Sequence, residues 1–203
     1  MKRKCYNSYD YIDPDNLYTY PGSSVLRNKQ EERDEKKARE LEYRMVASKS
    51  LKLFVNPIPV YSVEDILKIH QFLFEDMYLW AGKFRKVNIS KSGNAFLPIQ
   101  SFDTALTYLN NLIDRFHDTA NSRKEVIHLL VEILDNLNYF HPFREGNGRT
   151  QREVIRSLAL MKGYECEISI GDDDEIYHLY MDGTVYGDKT KLTKLFEKIL
   201  FKF

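Results

Sequence analysis

The chain has 203 residues, of which 43% are hydrophobic and 30% charged, a length and balance typical of one globular domain. Thirty basic residues are matched by 30 acidic ones, and the resulting formal net charge of zero argues against direct binding of nucleic acid. No apolar run is long enough to cross a bilayer, and the basic start lacks the apolar stretch of a signal peptide. Cys5 and Cys166 lack metal-ligand spacing and are too few for a disulfide scaffold, which indicates a reducing compartment. We therefore expect a soluble intracellular domain with no membrane contact.

Four helices are predicted between residues 23 and 140. Residues 23–50 are dense in strong helix formers and predict one long surface helix. A second helix is expected to open at Ser62 and to end at Gly82, because apolar residues recur between them at helical spacing. Two more are predicted over residues 101–117 and 122–140, and the apolar stripe of the latter predicts a place at the centre of the core.

The rest of the chain also favours helix. After a loop, a helix is predicted to end at Gly163, and two weaker helical patterns follow, divided at Gly187-Asp188. The only convincing β signal is a pair of short apolar runs on either side of Ser92-Gly93-Asn94, which is typical of a hairpin. The sequence thus predicts an all-α fold with one small β-hairpin.

The chemistry is concentrated in HPFREGNGRTQR, residues 141–152, where one helix ends and another begins. Gly146 and Gly148 permit positive φ and a close approach of backbone N–H groups to an anion. The start of the next helix adds the positive end of its dipole. Arg149 and Arg152 share a helix face, so both guanidinium groups can reach one polyphosphate. These features predict a phosphate-binding site.

Three more residues of this segment have matching chemistry. Glu145 is suited to Mg²⁺, which commonly takes one or two protein oxygens and completes its shell with water and phosphate. Asn147 can orient a phosphate, and His141 can accept the proton of a hydroxyl near neutral pH. Singly, such a histidine is more often structural and such an arginine pair more often an exposed ion pair. Together they favour phosphoryl or nucleotidyl transfer.

The segment resembles the signature of the Fic family, HxFx(D/E)GN(G/K)RxxR, at every specified position. Upstream, YLWAGKFRKVNISKSGNAF resembles the family's Trp-Ala-Gly helix end and its target-docking flap, and YTYPGSSVLRNK is similar to the N-terminal segment of Fic domains in bacterial effectors and toxins. The resemblance covers residues 18–203. It implies a single Fic domain over residues 1–203, with an extension over about 1–17 and a flap over about 87–98.

The resemblance implies a reaction and a role for each residue of the motif. Fic enzymes usually transfer AMP from ATP to a Ser, Thr or Tyr hydroxyl of a target protein and release pyrophosphate. By this likeness His141 is the general base, Glu145 holds Mg²⁺ and Phe143 anchors the loop. The ATP phosphates are bound by the rest of the motif, namely Gly146, Asn147, Gly148, Arg149 and Arg152.

The resemblance also implies how the target binds and which group is transferred. The flap pairs with an extended target segment through its backbone, and its expected docking residues are Asn88, Ile89, Ser90, Lys91 and Phe96. Gly148 stands where Doc-type kinases of the family carry lysine, which favours AMP transfer. A Fic-type protein kinase or other transferase of a phosphate-containing group remains an alternative, as does a catalytically silent nucleotide-binding module. The intact His141 argues against the silent module.

Regulation and location follow from the same likeness. Many Fic enzymes carry an inhibitory helix with the pattern (S/T)xxxE(G/N), and the one match in spacing here, Thr193 to Glu197, is followed by Lys198 in place of Gly or Asn. We therefore predict no built-in inhibitory helix and, as a partner, a small antitoxin-like protein that supplies the glutamate. The expected location is the bacterial cytoplasm, with export into a target cell as the alternative.

Residues outside the motif are assigned more ordinary roles. Four histidines lie in separate segments without ligand spacing and are assigned to structure or surface: His70, His117, His128 and His178. Three tyrosines follow the motif, and one of them could stack on adenine, although packing is the commoner role of a tyrosine: Tyr177, Tyr180 and Tyr186.

Overall fold

The computed structural model describes residues 9–11, 16–91, 93–169 and 174–203. Within these ranges the protein is mainly helical, which confirms the predicted fold class. Its seven helices are α1 (Glu35–Val55), α2 (Val63–Phe74), α3 (Phe102–Thr119), α4 (Arg123–Phe140), α5 (Asn147–Met161), α6 (Asp174–Tyr186) and α7 (Lys189–Ile199). Short strands form two antiparallel sheets, one of β1 (Tyr9–Tyr11), β2 (Ile89–Lys91) and β3 (Asn94–Ala95), the other of β4 (Tyr164–Cys166) and β5 (Leu200–Lys202).

Helix α4 lies at the centre of the core, as its apolar stripe predicts. It contacts α3, α5 and α7, and it buries apolar side chains along its whole length. Its start is fixed by a capping box, in which the Ser122 hydroxyl accepts from Glu125 N and the Glu125 carboxylate accepts from Ser122 N. Because α4 is so firmly packed, the residues at its C-terminal end have a fixed position.

Helix α1 begins later than the predicted residues 23–50, because the preceding chain forms turns. Thr19 and Leu26 form an antiparallel bridge around a tight turn at Pro21-Gly22. The helix starts only where the Asp34 carboxylate accepts a hydrogen bond from Lys37 N, and it continues to Val55. The helix-forming composition of residues 23–33 is therefore overruled by turn chemistry.

Helix α2 ends at Phe74 rather than at Gly82. Residues 75–82 form successive turns that fold back against the helix. A Cβ at Gly82 would lie 2.7 Å from Cβ of Gln71, so only glycine allows this close return of the chain, which has φ +73° at this residue. The turn brings residues 83–86 to the end of α4.

The strands extend beyond the predicted hairpin. Strands β2 and β3 pair as expected, with Ser90 opposite Ala95, while Ser92 lies outside the described residues. The unpredicted strand β1 pairs with β2, and β4, which follows α5, pairs with β5. Strands of two or three residues are too short to show the alternation by which a sequence predicts them.

The C-terminal part follows the prediction closely. Helices α6 and α7 are divided at Gly187-Asp188, and the Asp188 carboxylate caps α7. Cys166 is buried, and Cys5 lies outside the described residues. None of the described helices combines the length and apolarity needed to span a bilayer.

Candidate active site

The loop between α4 and α5 begins at His141, which has a left-handed backbone with φ +46° and ψ +61°. Its N–H closes helix α4 on Leu137 O at 3.0 Å, and the positive φ then turns the chain away from the helix axis. Positive φ is uncommon for a residue other than glycine and points to a position held by its surroundings. The buried Arg85 side chain helps to fix the His141 backbone, since its Nε donates a hydrogen bond to His141 O at 2.8 Å.

The His141 ring is buried and its proton is placed by a backbone carbonyl. Nδ1 lies 2.8 Å from Asn138 O, so Nδ1 carries the proton and Nε2 is the basic nitrogen. The ring stacks on Phe96 of the flap, with 3.6 Å between ring centroids and 15° between the planes. Burial lowers the pKa of His141 to about 3, helped by the charges of Lys91 and Arg85. The imidazole is therefore neutral at physiological pH, the state that a general base needs.

Phe143 and Asn147 close the loop upon itself. The buried Asn147 side chain accepts from Phe143 N at 2.9 Å and donates to Phe143 O at 2.8 Å. Both polar atoms of this amide therefore hold the loop, so any contact with phosphate is left to the backbone N–H of Asn147 at the start of α5. Phe143 is buried, as the resemblance implies for an anchor.

The two glycines of the loop differ in their surroundings. Gly146 has φ +83°, and a Cβ there would lie 2.3 Å from Cζ of Phe74, so no side chain fits. A Cβ at Gly148 would meet Arg152 Nη1 at 3.5 Å and the Tyr180 hydroxyl at 3.7 Å, which are ordinary contacts. Gly146 is thus required by the packing, whereas Gly148 keeps the space between α5 and α6 open.

His70 supports the loop from below, in agreement with its expected role in structure or at the surface. It is fully buried, its Nε2 donates to Glu145 O at 3.0 Å, and its Nδ1 accepts from Gly82 N at 2.8 Å. Its ring stacks on Phe143 with 3.7 Å between centroids. Burial lowers the pKa of His70 to about 3, and the charge of Arg149 acts in the same direction. The sequence feature that indicates burial of His70 is its position on the apolar stripe of α2.

Arg149 is enclosed by two carboxylates and an aromatic ring. Its Nη2 lies 2.5 Å from Oε1 of Glu42, on α1, and 3.5 Å from Oε1 of Glu145. Its guanidinium lies over the Phe74 ring, 4.7 Å from the centroid. Burial alone would lower the pKa of Arg149, but the two carboxylates raise it. The other carboxylate oxygen of Glu42 accepts a hydrogen bond from the Tyr78 hydroxyl.

Glu42 was missed because it lies in a mixed-charge helix that the sequence predicts to be solvated. Only 14% of its side chain is exposed, and the contact with Arg149 joins α1 to the first turn of α5. Arg85 was missed for a similar reason, since it is one of several cations in KFRK. Neither contact has a local signature, because each joins segments that are distant in the chain.

The Glu145 carboxylate is the donor expected to hold a metal. Its Oε1 accepts from Gly146 N at 2.8 Å, and its side chain is 30% exposed. Among the described residues there is no group of three or more acidic, histidine or cysteine side chains that could hold a cation by itself. A single accessible carboxylate fits Mg²⁺ that is delivered with a polyphosphate and keeps several waters.

A cavity of about 200 Å³ opens beside His141. The end of α4 supplies Asn138 and His141, and helices α5 and α6 supply the other main walls, which include Gly148, Gln151, Arg152, Tyr180 and Thr184. The guanidinium of Arg152 lies 6.0 Å from the centroid of the Tyr180 ring. The structure thus brings His141, Gly148 and Arg152 around one space, whereas Glu145 and Arg149 lie on the other side of the loop toward α1 and α2.

The expected docking residues of the flap fall into two groups. Lys91 and Phe96 line the cavity, so they face the same space as His141. Ile89 is buried beneath the flap, and the Asn88 side chain accepts from Ile99 N at 2.9 Å, which holds the end of the flap. Ser90 lies between these groups and pairs with both β1 and β3.

Comparison with known proteins agrees with this fold. A model of the Fic/DOC family matches residues 60–159. The probable protein adenylyltransferase Fic of Escherichia coli K12 is 26% identical over 90% of this chain and 91% of its own length. The probable protein adenylyltransferase y4lH of Sinorhizobium fredii is 32% identical over 74% of this chain and 78% of its own length. The chain therefore belongs to the Fic/DOC family.

Two further likenesses come from Bartonella. Protein adenylyltransferase VbhT of Bartonella schoenbuchensis is 29% identical over 95% of this chain, which spans 41% of that longer protein. The crystal structure of the effector BepC from Bartonella tribocorum, with bound AMPPNP, has the same fold, with a TM-score of 0.78 and 22% identity over 93% of this chain and 98% of that one.

Proposed function

We propose that this chain is a protein adenylyltransferase that transfers AMP from ATP to a Ser, Thr or Tyr hydroxyl of a target protein. The proposal rests mainly on one observation: the neutral His141 ring, Gly148 and Arg152 line the same cavity. The names of the family members and the AMPPNP bound to BepC support it. The proposal includes one Fic domain over residues 1–203, with the flap at 87–98.

In the proposed reaction, the target hydroxyl lies against Nε2 of His141 and its oxygen attacks the α-phosphorus of ATP. The hydroxyl proton passes to Nε2 while the bond from the α-phosphorus to the bridging oxygen breaks, and pyrophosphate leaves. The hydrogen bond from Nδ1 to Asn138 O keeps the imidazole in the required tautomer. Phe96, stacked on the ring, excludes water from the base until the target displaces or slides along it.

The phosphates of ATP are bound by the start of α5 in this proposal. Backbone N–H groups of Asn147 and Gly148 donate to the α- and β-phosphate oxygens, aided by the helix dipole, and the Gly146 N–H joins them once it leaves the Glu145 carboxylate. Arg152 lines the cavity and takes the terminal phosphate, while Arg149, which pairs with Glu42, would have to turn toward the start of α5 to contact the β-phosphate. Glu145 would hold Mg²⁺, which would offset the charge of the leaving pyrophosphate.

The test uses ATP labelled on either phosphate. We expect a target protein in a lysate to be labelled by α-labelled ATP but not by γ-labelled ATP, and His141→Ala to lower the rate by about 10²–10⁴-fold. His128→Ala, at an exposed site on α4, serves as the matched histidine control. Labelling from the γ position would instead identify a protein kinase, and labelling unchanged by His141→Ala would exclude the proposed base.

We also propose a small antitoxin-like protein as the regulatory partner. A second cavity, of about 420 Å³, lies between α1 and α5 and is lined by Leu51 and Phe54 together with Arg152 and Arg156. Leu51 and Phe54 are 71% and 61% exposed, so an apolar helix bearing one acidic residue would fit there. Co-expression with the small neighbouring reading frames should suppress labelling in wild type but not in Leu51→Glu.

The cellular site of action is proposed as the bacterial cytoplasm. Some solved relatives are described as VirB-translocated effectors, so action in a second cell is the alternative. Detection of the labelled target in the producing cell, rather than in a contacted cell, would support the cytoplasmic site.

A further inference from the structure

The guanidinium of Arg149 is shared unequally between two carboxylates. Glu42 holds it at 2.5 Å, whereas Glu145, the proposed metal ligand, lies at 3.5 Å. The Tyr78 hydroxyl binds the second oxygen of Glu42, so this carboxylate is fixed on both sides. Glu42 comes from α1, outside the motif, and its side chain is more buried than that of Glu145.

This asymmetry bears on the metal site because an arginine and a divalent cation compete for the same carboxylate. A guanidinium that forms two hydrogen bonds to a carboxylate uses the lone pairs that a cation needs, and its positive charge repels the cation. Arg149 and Glu145 are four residues apart and already within ion-pair distance. Without a stronger partner, Arg149 would therefore close onto Glu145.

We propose that Glu42 is a positioning residue that holds Arg149 away from Glu145 and so keeps Glu145 available for a divalent cation. The proposal rests on the proposed function, because it takes Glu145 as the ligand of a cation that arrives with ATP. The Phe74 ring, 4.7 Å from the guanidinium, packs against Arg149 beside both carboxylates. The negative charge of Glu42 also offsets that of Arg149 beside the cation.

The experiment measures how strongly a metal promotes nucleotide binding in the full chain. AMPPNP binding is measured by calorimetry with and without MgCl₂, and the ratio of the two dissociation constants is compared between variants. We expect Glu42→Gln, which keeps the size of the side chain and removes its charge, to reduce this ratio by about tenfold, the scale found when partners of metal ligands are changed. Mn²⁺ binding followed by electron paramagnetic resonance should weaken in parallel.

A double variant separates positioning from a structural role. Glu42→Gln with Arg149→Met should restore the metal-dependent ratio, although AMPPNP itself binds more weakly, because the competitor for Glu145 is gone. Glu35→Gln, on the exposed face of the same helix, should leave the ratio unchanged. A ratio unaffected by Glu42→Gln, even with a lower melting temperature, would overturn the inference. Absence of AMPPNP binding in wild type would overturn the proposed function as well.

Discussion

The imidazole of His141 is held by three different parts of the chain. Helix α4 bonds its Nδ1, the flap stacks Phe96 on its face, and Arg85 bonds its carbonyl oxygen. The motif predicts the identity of the base, but these partners lie outside the motif. A base positioned in this way has its tautomer and its orientation fixed before any substrate binds, which reduces the reorganisation needed in the reaction.

At Gly146 the sequence and the structure agree on the residue but for different reasons. The motif suggests a glycine that approaches phosphate, whereas the structure adds a steric requirement from Phe74. We expect Gly146→Ala to lower the free energy of unfolding by about 3 kcal/mol or more, because strain at positive φ adds to overlap with the ring. Urea denaturation measures this change.

Gly163→Ala is the matched control for this change. Gly163 has φ +79°, close to that of Gly146, but nothing lies within 4 Å of its added Cβ. Gly163→Ala should lower the free energy of unfolding by only about 1–2 kcal/mol, the effect of backbone strain alone. The double variant Gly146→Ala with Phe74→Leu should be less destabilised than the sum of its single variants. Equal losses at positions 146 and 163 would show that the ring does not enforce the glycine.

Helix α2 both packs in the core and supports the loop between α4 and α5. Its apolar periodicity predicts a core helix, and the structure shows that the same buried face supports the loop through His70 and Phe74. The contact from His70 to Glu145 spans 75 residues of sequence, so no local pattern could predict it. The start of α1 was likewise predicted too early, because composition cannot show the turn that precedes Asp34.

Strand β1 lies on the edge of the flap at which a target segment could pair. Phe96 N donates to Ile89 O, so Ile89 faces β3 and, by alternation, the backbone of Ser90 faces β1. Asp10 is the partner of Ser90, so its N–H points toward β2. We expect Asp10→Pro, which removes this donor, to free the edge and to raise target labelling severalfold.

The control for this prediction is Asp10→Ala, which keeps the backbone N–H and should label the target like wild type. Both variants are compared by labelling with α-labelled ATP over a range of target concentrations. If the target uses the edge of β2, Asp10→Pro should lower its KM. Identical kinetics for the proline and alanine variants would place the target elsewhere on the flap.

For the whole molecule, two buried neutral histidines make stability depend on pH. His70 and His141 have pKa values of about 3 in the folded protein, against about 6.5 when unfolded. The unfolded chain therefore binds more protons below pH 6.5, so stability is full above that pH and falls as pH decreases toward 3. Each histidine should contribute a loss of about 2 kcal/mol between pH 6.5 and 5.

Urea denaturation at pH 7, 6 and 5 checks this dependence. His70→Gln, which can still donate to Glu145 O, should remove about half of the loss attributed to the two histidines. His128→Gln, at an exposed position, should leave the pH dependence unchanged. A wild-type unfolding free energy that is constant from pH 7 to 5 would contradict the buried, neutral state of both rings.

The mainly helical fold and the importance of segment 141–152 could be predicted from the sequence because periodicity and motif spacing are local properties. The contacts of Glu42, Arg85 and His70 could not be predicted, because they depend on which distant segments meet.

The pairing of β4 with β5 has a consequence for synthesis on the ribosome. Residues 200–202 pair with the strand that directly follows α5, and Leu200 O and Glu197 O accept from the Arg123 side chain at the start of α4. Both helices that flank the loop are thus tied to residues translated near the end of this chain. A nascent chain that lacks residues 197–202 lacks both of these contacts, so we expect the loop to be fully braced only after those residues have been made.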